Sequence, residues 1–267
     1  GMDIGTAKPD AQTLARAPHH LIDILDPIES YSAAQFCEDV LHHCQLILAR
    51  GKMPLLVGGT MMYFRALQQG LSSLPTADAC VRLQLQQELA QYGLSVMYER
   101  LRTIDPITAL RIHAHDAQRI QRALEVYLIT GRPLSSLFSE QTRISSYQFI
   151  NLQLMPSSRA LLHARIEARF ADMLADGLID EVKRLLQQWP LTAAHPSMRS
   201  VGYRQVLEHL NGEYDEQTLY MKGVAATRQL AKRQLTWLRH WPSGISFDSE
   251  NPMIVDELYD MIRSLTS

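Results

Sequence analysis

The clearest alternation of apolar and polar positions lies between residues 19 and 69. Phe36, Val40, Cys44 and Ile47 recur at i, i+4, i+8 and i+11, the stripe of a helix that packs on a core. Ser32 and Gln35 form the pattern of a capping box before it, with Tyr31 and Phe36 as a hydrophobic staple, and Arg50-Gly51 closes it. Two short apolar runs flank this helix. His19-His20-Leu21-Ile22-Asp23-Ile24-Leu25 is predicted as a strand, and Met53-Pro54-Leu55-Leu56-Val57 as a buried parallel strand bounded by Pro and Gly. Strand, helix and strand of these lengths predict a βαβ unit with a right-handed crossover. After Val57 the glycines Gly58 and Gly59 permit a sharp turn and close approach to a ligand. Thr60 is placed to cap a helix Met61–Gln69, whose free N–H groups and positive dipole end would face an anion.

From Leu74-Pro75 onward the pattern becomes helical. Ala79–Tyr92, Ser95–Ile104, Pro106–Ile112 and Ala117–Thr130 all carry helical spacing with no strand between them. Asp116 is the N-cap expected for the last, and Gly131 with Pro133 its stop. Gln148–Met155 returns to a strand pattern. Ser158–Leu186 is a long helix with Leu162, Ile166, Phe170, Met173 and Leu174 on one face and Gly177 as a break. The expected division is 1–74 as the first part of an α/β core, 75–135 as a helical insertion and 136–267 as the second part of the core.

Composition changes this picture little. In 267 residues, 46% are hydrophobic and 20% charged, proportions that suit a folded globular protein and not a disordered one. A net charge of −2 gives no global sign of a nucleic-acid partner, so any basic patch must be local. Cys37, Cys44 and Cys80 have no metal-ligand spacing and cannot all pair, which points to a reduced, cytoplasmic setting. No apolar run approaches the roughly 18 residues of a membrane span, so no membrane partner is expected.

One helix in the last third stands out. No acidic residue lies between Glu216 and Asp248, whereas Lys222, Arg228, Lys232, Arg233 and Arg239 all do. At about 100° per residue, Arg228, Lys232 and Arg239 fall within about 40° of one another, beside an apolar arc of Val224, Thr227, Ala231 and Leu238. A solvated helix face normally mixes both signs of charge, and a stripe of one sign suits a phosphate backbone better.

Six stretches together resemble one family, the tRNA dimethylallyltransferases (tRNA isopentenyltransferases). They are Gly1-Met2-Asp3-Ile4-Gly5-Thr6-Ala7-Lys8-Pro9, Pro54-Leu55-Leu56-Val57-Gly58-Gly59-Thr60-Met61-Met62-Tyr63 and Asp116-Ala117-Gln118-Arg119-Ile120-Gln121-Arg122-Ala123-Leu124-Glu125. Arg165-Ile166-Glu167-Ala168-Arg169-Phe170, Ser200-Val201-Gly202-Tyr203-Arg204-Gln205 and Thr227-Arg228-Gln229-Leu230-Ala231-Lys232-Arg233-Gln234 complete the set. Each alone is weak, but their order over nearly the whole chain is specific.

The resemblance implies transfer of a dimethylallyl group from dimethylallyl diphosphate to N6 of adenosine 37 in the tRNA anticodon stem-loop, with Mg²⁺ as cofactor and pyrophosphate leaving. It implies an α/β fold, a P-loop kinase-like parallel sheet core with a helical insertion domain, and a monomer. Leaving-group charge calls for cations and N–H donors. The adenine must leave its stack, and its amine needs a carboxylate to take its proton. By resemblance Thr60 and Arg169 bind the diphosphate from opposite sides, with Gly58 and Gly59 beside Thr60, and His19 serves catalysis or substrate binding. Asp3, Thr6 and Lys8 are assigned tRNA contact, as are Arg228, Lys232, Arg233 and Arg239. Structural alternatives stand beside these roles: a plain helix cap for Thr60, a surface ion pair for Arg169 and strand-end packing for His19. His113 and His115 lack a third ligand nearby and are not read as a metal site.

Family members carry a Gly-x-x-x-x-Gly-Lys-Ser/Thr phosphate loop and a catalytic aspartate before the Gly-Met-Asp-Ile-Gly-Thr stretch. Neither occurs in this sequence, so the expected core lacks its first strand and phosphate loop, and the chain by itself is expected to be nearly inactive. Two other readings are a non-catalytic RNA-binding remnant and an isopentenyltransferase that acts on free adenylate. The basic helix and the helical insertion argue against the latter, since a free nucleotide needs no long electrostatic track.

Overall fold

The computed structural model describes residues 1–70, 74–138 and 147–264. It is mostly helical with one small parallel sheet, an α/β arrangement. The elements in order are α1 (Ala11–Arg16), α2 (Ala33–Ala49), α3 (Met61–Gln69), α4 (Ala79–Ile104), α5 (Pro106–Arg111), α6 (Ala117–Thr130) and α7 (Leu134–Phe138). Then follow β1 (Leu152–Met155), α8 (Arg159–Ala175), α9 (Leu178–Gln188), a 3₁₀ turn at Ser197–Arg199, α10 (Tyr203–Leu210), α11 (Glu216–Arg239), β2 (Ile245–Asp248) and α12 (Ile254–Ser264). The chain forms two compact units, Gly1–Met61 with Gln148–Ser267, and Met62–Tyr147.

In the first unit β1 and β2 pair in parallel, Leu152 opposite Ile245 through Met155 opposite Asp248. Helices α8 to α11 form the long crossover that parallel pairing requires. Leu178, Val182, Met198, Tyr203, Val206 and Leu219 are fully buried in its main core, with Met2 and Ile4 packed against them. Ile166, Phe170 and Val224 form a second cluster between α8 and α11. Those helices cross closely because α11 has Gly223 there: a Cβ would lie 1.9 Å from the Phe170 ring.

The second unit is helical. Leu85, Met97, Leu101, Ile120, Leu124 and Val126 form its core. Glu125, buried in α6, receives hydrogen bonds from Arg82 Nε at 2.8 Å, Arg122 Nη1 at 2.7 Å and the Asp78 amide at 3.2 Å. The stretch from Asp116 to Glu125 therefore locks the start of α4 onto α6.

Several elements follow the sequence closely. Ser32 and Gln35 make the capping box of α2, and Gly51 leaves it in the left-handed region. Asp116 caps α6 and Gly131 ends it. Gly177, at φ 95°, separates α8 from α9. The helices expected at 79–92 and 95–104 run together as α4, kinked at Gly93 with φ 80°.

The strands differ. Residues 19–25 are not a strand: Leu21 and Asp23 have positive φ, and His20 stacks on His43 of α2 with centroids 4.4 Å apart. Residues 53–57 form no strand and pair with none among the described residues, and Leu55 and Val57 are 67% and 86% exposed. The expected βαβ unit around α2 is therefore absent among the described residues. An apolar β-rich run becomes a strand only where a neighbour completes its hydrogen bonds. The pairing lies instead between the strand expected near Met155 and β2, which the sequence reading did not anticipate.

Candidate active site

The loop Gly1–Lys8 is held from beneath. Its turn closes through Ala7 N to Ile4 O at 3.1 Å and Lys8 N to Asp3 O at 3.0 Å. Glu181 of α9, 1% exposed, accepts the amides of Asp3 at 3.0 Å and Ile4 at 2.8 Å. Its other oxygen accepts the Tyr203 hydroxyl at 2.6 Å. Gly5 lies over the Tyr203 ring, where a Cβ would come within 2.4 Å of it, so no larger residue fits without movement. Burial and the neighbouring Glu181 push the Tyr203 phenol well above its ordinary range, so it stays a proton donor.

Above this support the polar side chains gather. Lys8 Nζ donates to the carboxylates of both Asp3 and Asp23. The Lys8 hydrogen bond is the main reason that both carboxyls lie below their usual value. Burial works against the Lys8 ammonium, but its two carboxylate partners raise its pKa. A cleft of about 700 Å³ opens here, with Asp3, Lys8, Asp10, Asp23, Arg169, Asp172 and Asp176 on its walls. Carboxylates outnumber cations in that lining. Lys8 is already neutralised, whereas Arg169, exposed on α8, makes no hydrogen bond or ion pair among the described residues.

Gly58, Gly59 and Thr60 lie outside this cleft, in a loop leading into α3. Gln234 of α11 donates to the Gly59 carbonyl at 3.1 Å, and its Nε2 occupies the space where a Gly59 Cβ would be. Thr60 is exposed and directly precedes α3, the position of a cap. His19 is exposed too, with Nδ1 2.7 Å from the Ala17 carbonyl and no place in the cleft. Thr6 turns its hydroxyl onto the Met2 carbonyl at 2.6 Å.

The basic helix α11 forms with the expected apolar arc turned inward, since Val224 is buried and Thr227, Ala231 and Leu238 are half-buried. Its cationic stripe is less uniform than the sequence suggests. Arg228 is half-buried and donates to Glu167 of α8, which corrects its reading as a solvent-facing, acid-free position. It lies next to the packed arc, so it meets the neighbouring helix first. Lys232, Arg233 and Arg239 are exposed.

The recurring theme is that distant stretches meet in pairs: Gly5 with Tyr203, Glu167 with Arg228, and Gly59 with Gln234. The family model described as IPP transferase matches residues 1–241. The chain belongs to this family. A tRNA dimethylallyltransferase from Legionella pneumophila (strain Paris) is 58% identical over 264 residues, 99% of this chain and 84% of that protein. The fold is similar to a tRNA isopentenylpyrophosphate transferase from Bacillus halodurans, with TM-score 0.69 and 32% identity over 99% of this chain and 84% of that one. It is also similar to a eukaryotic dimethylallyltransferase acting on tRNA, with TM-score 0.79 and 26% identity, covering 98% of this chain and 68% of that one.

Within the family frame, Glu181 and Tyr203 are the residues that sequence reasoning missed. A signal for Glu181 was present. Leu178, Val182 and Leu185 define the apolar face of α9, and Glu181 sits on that same face, where an acid must find buried donors. No group of three or more His, Cys, Asp or Glu among the described residues could hold a metal ion. No helix among them is long and apolar enough to cross a membrane.

Proposed function

We propose that this chain transfers the dimethylallyl group of dimethylallyl diphosphate to tRNA, with N6 of adenosine 37 in the anticodon loop as acceptor. The observation that carries the reading is the pairwise meeting of the family stretches around the Asp3–Lys8 loop, α8 and α11. In the reaction the bond from the allylic carbon to the diphosphate oxygen breaks. A bond from that carbon to N6 forms, pyrophosphate leaves and N6 loses a proton. Arg169 is the cation available for the diphosphate, because Lys8 is committed to two carboxylates. Gly58, Gly59 and Thr60 offer hydrogen-bond donors at the start of α3 for the same charge. Asp3, Thr6 and Lys8 form a rigid, largely anionic rim that suits the N–H groups of a nucleobase better than its phosphates. Exposed Lys232, Arg233 and Arg239 suit the phosphates.

Mg²⁺ would arrive on the diphosphate, since it usually keeps waters and binds substrate phosphates with few protein ligands. The described residues offer no cage of their own, and no step here depends on one. The same proposal takes the architecture as a P-loop kinase-like core carrying the helical unit as an insertion.

The test follows label from dimethylallyl diphosphate into an unmodified anticodon stem-loop. The chain by itself, without a phosphate loop or the catalytic aspartate, should transfer little. In a version that also carries both, Thr60→Ala and Arg169→Ala should lower transfer and leave stem-loop affinity within about twofold. Arg169→Ala should cost more, since bonds to charged groups contribute roughly 1.5–3 kcal/mol against about 1 kcal/mol for neutral ones. Unchanged donor kinetics in both would return them to structural roles.

A further inference from the structure

Gln234 is a polar residue in a packed position of α11. At about 100° per residue it falls beside Thr227, at the edge of the arc that also holds Val224, Ala231 and Leu238. It is half-buried, and its side chain reaches the loop that leads into α3. There its Nε2 donates to the Gly59 carbonyl at 3.1 Å. The same carbonyl accepts the Met61 amide at 3.1 Å, which closes a tight turn centred on Thr60.

Two features show that this contact is built into the turn. Gly59 is not among the glycines with positive φ, so its backbone alone does not call for glycine. A Cβ there would overlap the Gln234 amide nitrogen, so the glycine makes room for that side chain. The second feature is direction. No described peptide bond is cis, and in a trans peptide the carbonyl and the next N–H point opposite ways. With the Gly59 carbonyl held by α11, the Thr60 N–H faces away from that helix. Gly58, Gly59 and Thr60 are all exposed, so little else restrains the rotation of this peptide.

We propose that Gln234 is a positioning residue for the diphosphate, fixing the Gly59–Thr60 peptide so that the Thr60 N–H and hydroxyl meet the leaving-group charge. The proposal rests on the reading of Gly58, Gly59 and Thr60 as diphosphate contacts and adds the residue that holds them in place. A peptide fixed beforehand needs no reorganisation when charge develops, which is where such groups gain their effect. Gln234 acts through the turn, without contact to either substrate.

The first measurement is urea unfolding of the full chain in a double-mutant cycle. Gly59→Ala should lower the folded-to-unfolded ratio roughly 2- to 10-fold, the effect of losing one neutral hydrogen bond. It should cost nothing where Gln234→Ala is already present. Equal costs in both backgrounds overturn the proposal. The second measurement follows label transfer in the version that also carries a phosphate loop and the catalytic aspartate. Gln234→Met keeps the side-chain volume but has no N–H. It should lower kcat/KM for dimethylallyl diphosphate roughly 2- to 10-fold and leave the stem-loop KM unchanged. In a Thr60→Ala chain the same substitution should cost less. Full additivity with Thr60→Ala, or unchanged diphosphate kinetics, overturns the positioning role. If Gln234→Met does not fold, Gly59→Ala displaces the same amide without altering α11 and carries the kinetic test. A raised stem-loop KM with unchanged diphosphate kinetics assigns Gln234 to the RNA, and the proposal falls. An unsubstituted version that transfers no label removes the functional reading beneath it too, whereas transfer that is indifferent to Gln234 and Gly59 removes this role alone.

Discussion

Glu181 shows how much one buried carboxylate can organise. It accepts two backbone amides and one phenol, so the loop bearing Asp3 and Lys8 is tied to α9 and α10 by a single residue. Tyr203→Phe removes one hydrogen bond to a charged acceptor while leaving the ring under Gly5. Urea unfolding should then show a loss of about 1.5–3 kcal/mol. Glu181→Ala strands three donors and should cost more. Stability of Tyr203→Phe within about 0.5 kcal/mol of wild type would mean that the phenol is not part of the support.

At the scale of elements, helix ends were the most legible feature, because caps are local chemistry. Asp105 illustrates this and adds something that the sequence did not display. It caps α5 through the Thr108 amide at 3.0 Å, and its second oxygen accepts Thr108 Oγ1 at 2.7 Å and the Ser135 amide at 2.8 Å. Burial alone would raise its carboxyl, but the donors from Ser135 and Thr108 prevail and hold it below the ordinary 3.8. A carboxyl lowered in the folded state stabilises above its unfolded value and loses that contribution as pH falls through the folded value. Asp105→Ala should therefore cost about 1–3 kcal/mol at neutral pH. Its deficit should shrink in melts taken as pH falls below the ordinary carboxyl range and Asp105 becomes protonated. A deficit independent of pH would assign the loss to packing. The strands at 19–25 and 53–57 were misread for the converse reason. Their runs satisfied a composition rule, but pairing is a property of two segments, and positive φ at Leu21 and Asp23 excludes it outright.

For the whole molecule, charge is distributed by fold rather than by composition. A chain of net charge −2 presents a cleft rich in aspartate on one set of loops and an exposed cationic face on α11. Arg228 belongs to neither, since Glu167 takes its charge. Replacing Lys232, Arg233 and Arg239 by Ala should flatten the log K against log salt slope for stem-loop binding by up to about 3. Arg228→Ala should leave the slope nearly unchanged and lower stability by about 0.2–1 kcal/mol, as for a partly exposed ion pair. If Arg228→Ala flattens the slope like the others, its pairing with Glu167 does not compete with RNA.

The helix caps and the inward arcs of α2, α8 and α11 were determined by the sequence alone, because i to i+4 spacing and cap chemistry act over a single turn. The stretches that resemble the family were equally legible, but not what they touch. Only the tertiary structure decided that Gly5 covers Tyr203, that Gln234 reaches Gly59 and that Trp237 faces outward with Lys232 and Arg233. Those outcomes depend on how helices far apart in the chain cross and pack. Gly223 against Phe170 sets one such crossing, and no local pattern encodes its partner.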